Sequence, residues 1–215
     1  MMYSKVTLGR KCIVREPCVL GEPPRGHDEG ELGLVIGDNA VIRPFTVIYA
    51  GSRIGNNFET GTHVYIREGN QIGNNVVVGS GAKLEQGNVI GSDVVIHTAA
   101  ILGEHCRIED RAWIGPNVIF LNDIHPPCAR FRKGECVGAP VVHTNAKIGA
   151  RATIMPGVVI GRNSLVAAAS VVTKDVPDNC VVMGNPARVV KSVSDLRCIK
   201  GHFRRPYEWE EGLQD

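Results

Sequence analysis

The chain has 215 residues, a length that fits one domain or one domain with a short appendage. Hydrophobic residues make up 43%, enough for a sizeable core; with only 5% aromatics and 25 Gly, β-structure with many tight turns is favoured over a helical bundle. A formal net charge of +2 is too small to imply nucleic acid or an anionic membrane surface as a partner.

No apolar run approaches the roughly 20 residues of a membrane span. The opening MMYSKVTLGRK lacks the apolar stretch of a signal peptide, so a cytoplasmic location is expected. Seven Cys, an odd number, point to reduced thiols rather than a disulfide framework.

Along the chain the first pattern is Leu8, Val14 and Leu20, each six residues from the last. It is interrupted near 21–33 by GEPPRGHDEGELG, rich in turn formers and charge, as a projecting loop should be. From Ile36 the sixes resume over fifteen positions to Phe120, and thirteen of the fifteen are Ile, Leu or Val. Thr60 and Phe120 are the other two. Gly follows the repeated position in eight of the fifteen, and a small residue or Val mostly comes four residues after it.

A second interruption near 121–141, LNDIHPPCARFRKGECVGAPV, has the composition of another projecting loop. Val142, Ile148, Ile154, Ile160, Val166 and Val172 then restore the spacing in a shifted frame. After Val172 the pattern stops. The following segment reads as loop, turn and a short helix around 190–197 able to cap an open end.

A strict period of six is a geometric statement. Three short flat strands return the chain to its starting point after 18 residues, so each aliphatic points inward and stacks on its equivalent one coil on. Asn39, Asn57, Asn75 and Asn117 stand at corners, where Gly or Asn adopts positive φ at little cost. The expected fold is therefore all-β: a left-handed parallel β-helix of hexapeptide repeats with two projecting loops and a short C-terminal helical cap. Right-handed β-helices and leucine-rich arrays have longer, less regular coils. The expected division is a β-helix domain over 1–189 and a C-terminal helix and tail over 190–215.

The stretch IGARATIMPGVVIGRNSLVAAASVVTKDVPDNCVVMGNPARVVK resembles the terminal region of the hexapeptide acyltransferases. The resemblance is strongest to the maltose and galactoside O-acetyltransferases and the nucleotide-sugar amino-acyltransferases. Its specific marks are V-x-x-x-S-V-V-T-K-D-V-P and G-N-P-A-R. The resemblance implies a homotrimer in which acetyl-CoA lies along the C-terminal coils between adjacent subunits. Backbone around Ala167 and Ala168 would hold the pantetheine, Thr173 and Lys174 would meet the phosphates, and Arg188 the adenosine phosphate. A cofactor with several negative charges needs such cations and amides.

The same resemblance makes His125, in the His125-Pro126 pair of the second loop, the expected general base. Transfer to a hydroxyl requires deprotonation, and an imidazole titrating near neutrality serves that purpose. A backbone amide would stabilise the tetrahedral oxyanion. Asn122 and Asp123 are expected to orient the acceptor or the histidine; His97, Glu104 and His63 are candidate substrate ligands. The Asn122-Asp123 pair resembles the amino-sugar enzymes, whereas His125 resembles the O-acetyltransferases. An amine has a lone pair once neutral and makes a base less necessary, so the acceptor expected is the amino group of a nucleotide-linked sugar, with sugar O-acetylation as the alternative.

No metal is expected. Cys128 with Cys136, and Cys198 with His202, fall short of four ligands at zinc spacing. The γ-class carbonic anhydrases share such a prism, but the pair of His five residues apart that marks them is absent. A non-catalytic scaffold would need neither His125-Pro126 nor the coenzyme A motif.

Overall fold

The inward aliphatics build a three-sided prism. The computed structural model describes residues 1–126 and 136–207, and almost all of its regular structure is short parallel strand. Sheet I contains Val6–Leu8, Leu34–Ile36, Arg53–Ile54, Gln71–Ile72, Val89–Ile90, Arg107–Ile108, Val141–Val142 and Val159–Ile160. Sheet II takes the next strand of every coil, from Ile13–Val14 to Leu165–Val166, and sheet III the one after, from Val19–Glu22 to Val171–Val172. Together they form the left-handed parallel β-helix that the sixes imply.

Register follows the repeat. Ile36, Ile54, Ile72, Ile90, Ile108 and Val142 pair in sequence down sheet I, and all are at most 5% exposed. Each contributes roughly 1.5–3 kcal/mol through burial. The pairing step is 18 residues from Ile90 to Ile108 but 34 from Ile108 to Val142, so 34 − 18 = 16 extra residues intervene between Phe120 and Val141. Val6 pairs with Leu34, a step of 28, which places 10 extra residues between the strands Val19–Glu22 and Leu34–Ile36. Both excursions leave the coils above and below in register.

The corner between sheets I and II is held by a ladder of side-chain amides. Asn39 donates to Asn57 at 3.0 Å, Asn57 to Asn75 at 2.7 Å, and Asn75 to Asp93 at 2.8 Å. These residues have φ near +60°, the left-handed conformation that Asn and Asp tolerate best. The Gly after the repeated aliphatic has a different task from the positive φ expected at corners. Gly55, for example, lies where a Cβ would stand 2.6 Å from the Gly73 carbonyl oxygen of the next coil. It is there for close approach, not for its φ.

Two departures from the repeat compensate each other. Thr60 stands where an aliphatic is expected, and Phe58 stands two residues earlier where most coils have a small side chain; both are fully buried. The phenyl ring fills the volume that Thr60 leaves. The Thr60 hydroxyl accepts from the Arg43 N–H at 2.9 Å and bonds Thr46 at 3.2 Å, so the polar group is not stranded. Asn70 and Asn88 are also fully buried. The Asn70 side chain accepts from the Asn88 N–H at 3.0 Å and that of Asn88 from the Cys106 N–H at 2.8 Å.

The C-terminal end differs in detail from the expected helical cap. Cys180–Gly184 joins sheet II and turns back through Ala187–Ser192 as an antiparallel hairpin. Helix in this region is confined to one 3-10 turn, Val193–Asp195, capped by Ser192 and Asp195. Alternation in GNPARVVKS had been masked by the turn residues before it, and pairing to Cys180–Gly184 satisfies its backbone. No helix among the described residues is long and apolar enough to cross a membrane.

Candidate active site on two edges of the prism

The residues singled out by the sequence fall on two edges. Those that follow strands of sheet III lie at the edge between sheets III and I: Glu104, Asn122, Asp123, His125, Thr173 and Lys174. Those that follow strands of sheet II lie at the edge between sheets II and III: His63, His97, Ala167 and Ala168.

At the III/I edge Asn122 and Glu104 occupy equivalent positions in successive coils, about 4.8 Å apart along the axis. The Asn122 Oδ1 lies 2.8 Å from where a Cβ on Gly103 would stand, so the missing side chain at 103 makes room for it. The Asn122 carbonyl accepts from the Gly138 N–H at 2.8 Å, and Asp123 bridges Val137, which together close the base of the second loop. His125 follows and is exposed. Thr173 and Lys174 are exposed on the same edge, two coils further on. Cys128 lies outside the described residues.

Glu104 also belongs to a network that sequence reasoning missed. Arg67 lies 2.6 Å from Glu68, 3.2 Å from Glu85 and 3.9 Å from Glu104, one guanidinium among three carboxylates. Beside it, the Tyr65 hydroxyl donates to Tyr49 at 3.3 Å; burial, the Tyr49 bond and the neighbouring charges push Tyr65 up to about 12. The signal was present in the spacing. Residues 49, 67, 85 and 65, 83 are 18 apart on the outer face, but outward positions show no hydropathy period to reveal them.

At the II/III edge the Ala167 N–H donates to the Val182 carbonyl at 2.9 Å and is occupied within the fold. Ala168 is exposed, and its N–H has no hydrogen-bond partner among the described residues. The hairpin brings GNPAR to the same place, because the Gly184 N–H donates to the Ser170 hydroxyl at 3.2 Å. Arg188, exposed on that hairpin, donates to the Ala187 carbonyl at 2.9 Å. The structure therefore groups Ala168 with Arg188 and separates them from Thr173 and Lys174 by the width of sheet III. His97 stacks at a tilt on Trp113, centroids 4.7 Å apart, and His63 stacks on Phe45 at 4.6 Å.

One cavity lies away from both edges. That cavity, about 420 Å³, is lined by Asn145, Lys147, Asn163, Asn179, Ser192 and Tyr207 and holds none of the expected site residues. Among the described residues no group of three or more His, Cys, Asp or Glu side chains is arranged to hold a metal ion.

A family model for the bacterial transferase hexapeptide, six repeats, matches residues 139–174. Galactoside O-acetyltransferase of Escherichia coli K12 is 42% identical over 108 residues, which are 49% of this chain and 52% of that enzyme. The 2,3,4,5-tetrahydropyridine-2,6-dicarboxylate N-acetyltransferase of Staphylococcus aureus is 34% identical over 87 residues, 40% of this chain and 33% of that enzyme. The chain thus spans about half or less of the length of these curated relatives. A crystal structure of a hexapeptide-repeat-containing acetyltransferase of Vibrio cholerae, complexed with acetyl-coenzyme A, is 32% identical with a TM-score of 0.52. The match covers 59% of this chain and 72% of that one.

Proposed function

The chain belongs to the hexapeptide-repeat acetyltransferases, and from that premise we propose that it transfers the acetyl group of acetyl-CoA directly to the amino group of a nucleotide-linked sugar. The observation that carries the reading is the III/I edge, where Asn122 packs over Gly103 beside Glu104 and leads directly into Asp123 and His125. In this reading the acceptor nitrogen attacks the thioester carbonyl, the C–S bond breaks, and the proton lost by nitrogen passes to His125. His125 hands that proton to the departing sulfur, and coenzyme A leaves as its thiol. Asn122 and Asp123 orient the acceptor.

The surplus of carboxylates around Arg67 favours an acceptor that arrives as an ammonium ion and loses one proton to solvent before it attacks, since Coulomb attraction enriches cations at such an edge. The pantetheine arm would lie against the Ala168 amide, with Thr173 and Lys174 meeting the coenzyme A phosphates and Arg188 the adenosine phosphate. A single chain holds these groups on different edges. Assembly as a homotrimer supplies the geometry, with the III/I edge of one subunit facing the II/III edge of its neighbour.

A second reading, sugar O-acetylation, is favoured by His125 itself, because a neutral hydroxyl depends on a base more than a neutral amine does. The test is free-thiol release from acetyl-CoA with amino sugars, nucleotide-linked amino sugars and simple sugars, for wild type and His125→Ala. General-base catalysis contributes roughly 10²–10⁴-fold, so His125→Ala should lose that much turnover while binding acetyl-CoA normally. Unchanged turnover with every acceptor removes the base role. Preference for a plain sugar hydroxyl replaces the first reading by the second.

A further inference from the structure

Phe45 and His63 form an exposed pair at the II/III edge. Their rings are 4.6 Å apart and within 17° of parallel, and Phe45 is 52% exposed. Both have left-handed backbone, φ +64° for Phe45 and +58° for His63. For a bulky aromatic that conformation is strained, of order 1–2 kcal/mol, and strain of this kind clusters at ligand sites. The coil itself sets this φ, since Ala99, Asn117, Arg151 and Ala169 share it at the same corner. What the coil does not require is an exposed aromatic ring there, which gains nothing from core packing.

The same corner position in the next coils holds Gly81 and then Ala99. A Cβ on Gly81 would meet nothing within 4 Å, so the layer after His63 is open space, whereas the other II/III corner positions, among them Ala99, Asn117 and Arg151, carry a side chain. One coil is about 4.8 Å thick, close to the space one stacked planar ring needs. The slot thus has the His63 ring as its floor and the small Ala99 beyond. On the outer face of the strand that follows, Lys83–Leu84, stands Lys83, exposed and paired in register with Tyr65. It has no ion-pair partner among the described residues.

We propose that this slot takes the nucleobase of the acceptor, stacked on His63 with Phe45 backing it, and that Lys83 meets the acceptor's diphosphate. The inference rests on the transferase reading for its biological purpose but not for its physics. Stacking on an aromatic face is tolerant of base identity, and a flexible ammonium is a suitable point charge for a phosphate. It assigns roles to Phe45, Gly81 and Lys83, which the acetyl-transfer chemistry does not require.

The test is titration calorimetry of the full chain with uridine 5′-diphosphate, thymidine 5′-diphosphate, uridine and inorganic pyrophosphate. Nucleoside diphosphates should bind at least tenfold more tightly than pyrophosphate. His63→Asn and Phe45→Asn retain a residue suited to positive φ and remove the ring; each should weaken nucleoside diphosphate binding about 5- to 100-fold, the worth of one base–aromatic stack. Gly81→Asn fills the slot without backbone strain and should do the same. Lys83→Ala should weaken diphosphates and leave uridine unchanged. Equal binding of pyrophosphate and nucleoside diphosphates, or folded His63→Asn and Gly81→Asn proteins that bind as wild type, would overturn the proposal. Equal thiol release with a free amino sugar and its nucleotide-linked form overturns it too and leaves the transferase reading standing. Intact nucleoside diphosphate binding without thiol release from any acceptor supports the slot and removes the transferase reading.

Discussion

The exchange between Phe58 and Thr60 provides a quantitative test of how the prism interior is filled. Both side chains are fully buried in one coil, and Thr60 pairs in register with Val78 of the next. Phe58→Val deletes most of a buried ring and should cost about 2–4 kcal/mol through lost transfer energy and a residual cavity. Thr60→Ile alone adds volume beside an intact ring and removes the hydroxyl that bonds Arg43 N–H and Thr46, so overpacking and the lost hydrogen bonds should together cost about 2–4 kcal/mol. The double variant restores the ordinary pattern of an aliphatic with a smaller neighbour, and total volume returns near its starting value. Its cost should fall about 1–3 kcal/mol below the sum of the singles, the coupling expected for residues sharing one space. Guanidinium unfolding followed by far-ultraviolet circular dichroism, at one protein concentration, measures all three. Costs that add to within about 0.5 kcal/mol would refute the compensation.

Two further outcomes follow from titratable groups outside the proposed site. Glu109 has His143 Nδ1 3.0 Å from one carboxylate oxygen, and accepts from the Thr144 N–H and hydroxyl at 3.1 and 3.0 Å on the other. Burial raises its pKa, but these neighbours outweigh burial and hold it below the usual carboxylate range. A depressed carboxylate adds stability above the unfolded-state pKa and loses it as pH falls through the folded value, so Glu109→Gln should cost ~1–2 kcal/mol near pH 7 and progressively less below about pH 4.5. Urea unfolding from pH 7 to pH 3.5 checks this, and a pH-independent cost contradicts it. The Cys198 thiol is held low, first by the Phe203 amide and then by neighbouring backbone amides, whereas burial pushes Cys106 up to about 12. Iodoacetamide at pH 7.5 should therefore label Cys198 well before Cys106, as read by peptide mass spectrometry. Equal labelling rates in the folded protein would contradict that ordering.

The sixes alone determined the architecture, because an inward position every sixth residue admits a three-stranded coil and little else. They also located both loops, since a projecting insertion shifts the frame and leaves the coils on either side in register. The inward set from Ile36 to Val172 was readable for the same reason: burial imposes a hydropathy period. The corner asparagines were readable because positive φ restricts residue type.

Outward positions carry no such period, and the parts that only the tertiary structure decided lie there. The ion network of Arg67 joins residues one and two coils apart whose proximity depends on the 18-residue coil closing in register. The division of the candidate residues between two edges, and the occupation of the Ala167 amide by Val182, follow from which sheet each strand joins. Phe45 and His63 are separated by 18 residues and by unremarkable sequence. Only the stacking of coils puts one ring on the other, with an empty layer at Gly81 beside them.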